Sequence, residues 1–398
     1  MKKVLTIILL TTLTLVLSAC WSKRELNELA IAVALGVDKV DDEYEISVQV
    51  VDPSEISSKQ ATSGRAPVIT YHAQGKTVFE AIRKVTTSSP RKPYFSHLQI
   101  IVIGEELASE GISPIIDFLA RDHEIRNDFN VIMANKTTAK AVLNVLTSIE
   151  KIPAQKMANS IKNSEKYWGS TRSVNIDEII TALRNDGNSP VLSVIEVIGD
   201  QKIGIDMANV ERIDTPVFLE FTGLAVFQQD RLMGVLSEEE SKSFNILNDN
   251  INNTIEVISC PNEGELSTEI INSKTKIKGK IQNGTPKINV SIDIDQNVSE
   301  VNCTINLAEN ETIPMINEKT SKLIKGEVEK VLHTMQQKYQ VDNLGFNEVL
   351  HRENPKEWKK IKDDWSTLFP ELEVIVEVNV STRGLGTMQN ALSRKLKE

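Results

Sequence analysis

Cys20 has the most specific chemical context of any residue in this 398-residue chain. It closes the tetrapeptide Leu17-Ser18-Ala19-Cys20, behind Met1-Lys2-Lys3 and the apolar run Val4 to Leu17. A charged start, an apolar centre and small residues before a cut are the three regions of a secretory signal. The tetrapeptide resembles a bacterial lipobox, in which the Cys sulfur receives a diacylglycerol and the chain is cut just before it. The other reading is an ordinary signal peptide with a chance Cys. An apolar run of this length is shorter than the roughly 20 residues a helix needs to cross the hydrocarbon core, so we expect export and not a spanning helix. Two acyl chains, at roughly 0.8 kcal/mol per buried methylene, hold a protein stably at a membrane where a single chain is marginal.

The remaining candidates for chemistry give little. Gly75-Lys76-Thr77 has the ending of a phosphate loop, but Thr70 stands where the first Gly is required, so the cradle is missing and a helix start is the better reading. The five histidines (His72, His97, His123, His333, His351) form no H-E-x-x-H pair. Ser96 and His97 are adjacent and would point to opposite faces of a strand, which rules out a nucleophile–base pair. Cys260 and Cys303 fall in strand-rich segments; outside the cytoplasm they are compatible with a disulfide, and equally with two buried thiols. No catalytic residue, metal site or cofactor is expected apart from the covalent lipid on Cys20, a diacylglycerol with or without an added N-acyl chain.

Two polar clusters could contact a partner. Pro90-Arg91-Lys92-Pro93-Tyr94-Phe95 combines charge, aromatic surface and rigid prolines, which makes Arg91, Lys92, Tyr94 and Phe95 candidate contact residues; the alternative is a solvated loop. Arg121-Asp122-His123-Glu124-Ile125-Arg126 reads as an internal ion-pair knot at a helix end, favoured over a ligand-facing cluster. The net charge of −10 opposes any wrapping of nucleic-acid phosphates, and 40% apolar with 25% charged residues is a globular balance.

Period and turn signals place these residues on an α+β, multidomain body with mixed and antiparallel sheets packed against helices. Residues 1–19 form the signal and 20–205 an N-terminal α/β region with up to two subdomains. Residues 206–215 are expected as a linker, 216–385 as a C-terminal α+β domain and 386–398 as a tail. In the first region Ile31–Val37 and Tyr44–Val51 suggest a hairpin turning at Asp41-Asp42, with Ser54–Pro67 as a loop. Val68–Ala73, Leu98–Ile103 and Phe129–Met133 read as strands. Helices are expected at Ile112–Leu119, at Thr138–Leu146, behind Asn175, and after Thr77 with Val78, Phe79, Ile82 and Val85 on one face. In the second region a hairpin spans Phe218–Phe227 and Leu232–Leu236, followed by a helix over Glu238–Leu247. Ile288, Val290, Ile292 and Ile294 alternate with polar residues, as do Val374 to Val380, the pattern of a sheet with one wet face. Ile316, Leu323, Ile324, Val328, Val331, Leu332, Met335 and Tyr339 form a helical stripe to cover it. A second stripe of Trp358, Ile361, Trp365 and Leu368 follows Pro355 and reads as core.

The chain resembles the C-subunit lipoproteins of bacterial spore germinant receptors, the Ger(x)C family. The resemblance rests on Cys20 followed by Trp21 to Ala30, on Gly36-Val37-Asp38-Lys39, Gln49-Val50-Val51-Asp52-Pro53, His97-Leu98-Gln99 and Gly104 to Ala108, and on Asp117 to Asp122 and Pro355 to Trp365. Ala120 and His123 depart from the pattern. The resemblance implies a non-enzymatic lipoprotein on the extracytoplasmic face of the spore inner membrane, working with membrane-embedded A and B subunits in nutrient-triggered germination. Contact with the small-molecule germinant itself is left open. The rival from another class is a solute-binding lipoprotein serving a transporter, which should carry βα units in both lobes; an extracytoplasmic enzyme is the third reading.

Overall fold

The computed structural model describes residues 3–4, 28–53, 65–185, 188–261 and 263–386. Cys20, most of the signal, most of the Ser54–Pro67 loop and nearly all of the C-terminal tail lie outside the described residues.

β1 (Leu29–Val40) and β2 (Glu43–Val51) form the expected antiparallel hairpin. Asp41 and Asp42 close it at φ 47° and 64°, the left-handed pair of a type I′ turn, which Asp tolerates. The chain continues through β3 (Val68–Gly75), α1 (Val78–Lys84), β4 (Lys92–Tyr94), β5 (Ile100–Ile103), α2 (Glu105–Glu110) and α3 (Ser113–Arg121). Then come β6 (Asn130–Ala134), α4 (Ala139–Asn144), α5 (Pro153–Tyr167), α6 (Ile176–Arg184), β7 (Val191–Ile198), β8 (Phe218–Gln228), β9 (Arg231–Leu236) and α7 (Glu238–Leu247). Nine strands form one sheet in the order β3-β2-β1-β5-β6-β7-β8-β9, with β4 attached to β1. β1, β5, β6 and β7 run parallel at its centre. Helices cover both faces: Ile82, Leu107, Ile115 and Ile179 pack on one core and Val142, Leu143, Met157 and Ile161 on the other.

Thr77 caps α1, its hydroxyl accepting from the Glu80 amide, so Gly75-Lys76-Thr77 is a helix start. Asn175 and Glu178 form a reciprocal capping box on α6. Phe79 is a correction to the α1 stripe. It is 47% exposed while Ala81 takes the buried place, and its ring lies against Phe118 and under Arg83. α5 was not anticipated, because Ala154, Met157, Ala158 and Ile161 keep helical spacing with small side chains on an otherwise polar segment.

The second sheet contains β10 (Thr254–Ser259), β11 (Glu265–Gln282), β12 (Thr285–Val301) and β13 (Glu373–Gly384), in that order. β12 runs antiparallel to β11 and parallel to β13, which sets Ile288, Val290, Ile292 and Ile294 beside Val374, Val376, Val378 and Val380. α8 (Thr312–His333), extended by a π turn to Tyr339, lays the predicted stripe on this apolar side. α9 (Phe346–Glu353) and α10 (Pro355–Ile361) complete the layer. A 3-10 turn at Lys362–Asp364 interrupts the helix read after Pro355, yet Trp358, Ile361 and Trp365 are all buried. Cys260 and Cys303 are joined as a disulfide with Cα atoms 6.4 Å apart. β10 covers only Glu265–Ile270 of β11. Along the uncovered part, side chains serve the strand's backbone: Thr275 N–H donates to Asp249, Gly279 N–H to Glu353 and Ile281 N–H to Asn354.

The sheet does not divide where the sequence suggested. β7 pairs with β8 antiparallel from Val191↔Val226 to Ile198↔Phe218, so the hairpin β8–β9, expected with the C-terminal sheet, extends the N-terminal one. Residues 199–217 are a long surface connection between two neighbouring strands, and its Gly, Pro and polar content carries the same signal as an interdomain linker. A shared core follows, in which Leu224, Val226, Leu236 and Phe244 pack with Ile288, Val290 and Val328 of the second sheet's layer.

Candidate functional site

Many of the residues on which the resemblance rests specify the fold. Gly36 lets α4 approach β1, since a Cβ there would lie 3.1 Å from Leu143 and 3.2 Å from Ala139. Two residues on, buried Asp38 caps α4 from a distance, accepting from Ala139 N–H at 2.7 Å and Lys140 N–H at 2.9 Å. Burial pushes the Asp38 carboxyl up, against those two amide hydrogen bonds. Buried Gln49 links two helices, donating to the Leu143 carbonyl and accepting from Ala154 N–H. Asp342, completely buried and pushed up to about 6 by desolvation, accepts from the amides of Leu344, Phe346 and Asn347 and from the Trp365 indole. Sequence reasoning met Asp38 and Gln49 only within the resemblance, with no role assigned to either, and did not single out Asp342. Asp38 and Gln49 act on partners about a hundred positions away, so no local spacing marks them.

With those residues assigned to the fold, a surface at the start of β1 is the candidate site. Leu29, Ala30 and Ile31 pair in parallel with Lys92, Pro93 and Tyr94 of β4, which sets the predicted contact cluster beside the point where the chain enters the body. A shallow pocket of about 240 Å³ opens there, lined by Leu29, Ile31, Val51, Ile69, Tyr71 and Arg91 among others. Arg91 is exposed and its guanidinium has no ion-pair partner among the described residues. Tyr94 is half-buried and meets His97 edge-on. Lys92 is half-buried, its ammonium 2.8 Å from both Glu124 oxygens. Phe95 is a correction: at 4% exposure it belongs to the core and offers nothing to a partner. The Arg121–Arg126 segment is the expected knot, with Arg121 on Asp117, Arg126 on Asp128 and Glu124 on Lys92. Eight residue steps separate Cys20 from Glu28, a reach of at most about 28 Å fully extended.

A larger groove of about 790 Å³ follows the seam between α6 and the α9–α10 layer, lined by Arg184, Glu348, His351, Arg352, Trp358 and Lys359 among others. Glu348 fastens the seam, accepting from Asn185 at 3.1 Å and Asn188 at 2.6 Å. Ser47 and His72 share a hydrogen bond, and burial holds the His72 ring below its usual range. No group of His, Cys, Asp and Glu suited to a metal ion occurs among the described residues. No helix among them is long and apolar enough to cross a membrane.

Residues 22–197 match the family model for the spore germination protein N-terminal domain, and residues 222–386 match the spore germination B3/GerAC-like C-terminal domain. The chain belongs to the Ger(x)C family of spore germination proteins. Spore germination protein KC of Bacillus subtilis (strain 168) is 30% identical over 405 residues, covering 100% of this chain and 99% of its own. Spore germination protein B3 of the same organism is 22% identical, covering 94% and 96%. The crystal structure of the GerBC protein shares the fold at a TM-score of 0.52 and 18% identity, covering 87% of this chain and 96% of its own. This Ger(x)C member is thus a non-enzymatic spore germination protein. The two family-matched segments interlock, because the C-terminal match supplies most of β8 and all of β9 to the N-terminal sheet.

Proposed function

We propose that this chain is the C subunit of a nutrient germinant receptor. It is held by lipid on Cys20 at the extracytoplasmic face of the spore inner membrane and works with membrane-embedded A and B subunits. Family membership supports the receptor role, and Leu17-Ser18-Ala19-Cys20 supports the anchor. The observation that carries the mechanism is the position of β4 beside the start of β1: a tether of at most about 28 Å would keep Arg91 and Tyr94 close to the membrane. Confinement to a plane raises the effective concentration of the subunits for one another, and the Arg91 face is the surface presented first.

Dipicolinate release from spores carrying Cys20→Ala or Arg91→Glu, measured across amino-acid, sugar and nucleoside germinants, tests this reading. Cys20→Ala protein should leave the membrane fraction and the spores should lose response to one nutrient class. Arg91→Glu should stay membrane-bound and still weaken that response. A Cys20→Ala protein that remained membrane-bound and active would overturn the anchor.

A further inference from the structure

A further cavity lies between α5, the Leu146–Lys151 loop and the entry to β8, with a volume of about 590 Å³. That is within the range of small-molecule sites, about 300–1,000 Å³. A buried side chain ties together two of the segments that line it. Asn209, with no exposure, donates to the carbonyls of Leu146 and Val217 and accepts from Val217 N–H, pinning two loops together. Leu146 and Phe218 supply an apolar wall, and Ile149, 95% exposed, stands at its rim. Lys156, Ser160 and Asn163 supply the opposite, polar one.

Lys156 is the unusual group. Its half-buried ammonium donates to the Leu219 carbonyl and meets no other acceptor among the described residues, so two of its three N–H bonds are directed elsewhere than to the protein. Glu220 lies close enough to favour its charge without forming an ion pair, while Glu150 on the same rim is engaged by Asn159. Burial pushes the amine down to about 8. A desolvated cation facing an apolar wall is complementary to a molecule with an acid group at one end and hydrocarbon at the other.

We propose that this pocket binds a small aliphatic carboxylate, with its acid group on the Lys156 ammonium and its hydrocarbon against Leu146, Ile149 and Phe218. The site is independent of the Cys20 tether and of the Arg91 face.

Saturation-transfer NMR and calorimetry on the full chain in phosphatidylcholine nanodiscs, with isovalerate and its neutral amide as probes, test the proposal. Isovalerate should bind in the millimolar range or tighter and isovaleramide at least about tenfold more weakly. Lys156→Met should lose isovalerate by a similar factor while Lys156→Arg retains it. Ile149→Ser, at a position too exposed to affect folding, should weaken binding about threefold. Isovalerate affinity should fall toward pH 10 as the amine deprotonates, with Glu150, Glu220 and Lys162 the other charges facing the pocket. Equal binding of acid and amide, wild-type binding by a folded Lys156→Met, or no saturation transfer at millimolar probe would each overturn it.

Discussion

Along β5 every residue from Ile100 to Ile103 is fully buried, whereas along β12 burial switches on and off at each step from Pro286 to Val298. The central parallel strands have helices on both sides, so consecutive residues enter different cores: Ile100 packs with Val142 and Met157, Ile101 with Leu107 and Ile115. The second sheet has α8 on one side and solvent on the other, where Ile255, Val257 and Ile375 are exposed among polar side chains. The first sheet gives up outward-facing surface to stability, and the two contact surfaces proposed for it, at Arg91 and at the Lys156 pocket, sit where strands begin or end. The second keeps a whole face open to solvent.

This difference makes the largest expected effect a test of neighbouring positions. Ile100→Ala and Ile101→Ala should each cost about 4 kcal/mol, near the upper part of the range for fully buried isoleucines; urea denaturation that finds only one of them costly would contradict a doubly covered sheet. Next comes the disulfide, which joins two segments 43 positions apart at one end of the second sheet. Cys260→Ser with Cys303→Ser should remove about 3 kcal/mol. Hydrogen exchange should rise along β10 to β12 and leave β5 and β6 unchanged.

Smaller, and dependent on pH, is Glu256, which lies on β10 at 6% exposure. Burial first, and then the charge of Glu327, push its carboxyl up to about 7 against the pull of Lys242. The fold therefore favours the neutral acid. Its stabilising contribution is complete below the ordinary carboxylate range and is lost as pH rises from about 4.5 through about 7. Glu256→Gln should be about 2 kcal/mol more stable than the parent at pH 8, with no difference at pH 4, by thermal melts at both. Least of all, Ser291→Val on the solvent-facing side of β12 should change stability by no more than about 0.5 kcal/mol, whereas the reverse exchange, Val102→Ser in β5, would bury an unpaired hydroxyl.

The same contrast explains what could be read from sequence. Alternation along β12 and β13 and the stripe of α8 were legible because one-sided burial writes a period into the residues. The parallel strands were recognisable as short apolar runs, but their order was not, since runs apolar on both faces carry no register. α5 stayed hidden behind alanines, and the long connection before β8 looked like a boundary because a surface loop and a linker share composition. At the candidate site, Pro90 to Tyr94 could be picked out by residue type, while its position beside β1 follows only from a parallel pairing across some sixty residues. Phe95 shows the limit of composition, which cannot tell an aromatic contact from a core ring. Lys156 had no sequence signal at all, because its desolvation comes from Leu219 and the loops pinned by Asn209.

The chain enters the body along β1, which is hydrogen-bonded to β2 on one side and to β5 on the other. A pull on the segment ahead of Leu29 runs along the strand and loads both rows of hydrogen bonds together in shear, so that they cannot be unzipped one at a time. With the proposed lipid on Cys20 as the tether, the first element to feel any tug from the membrane would be one that resists sliding, and force reaching the subunit would move it as a rigid piece before it unravelled.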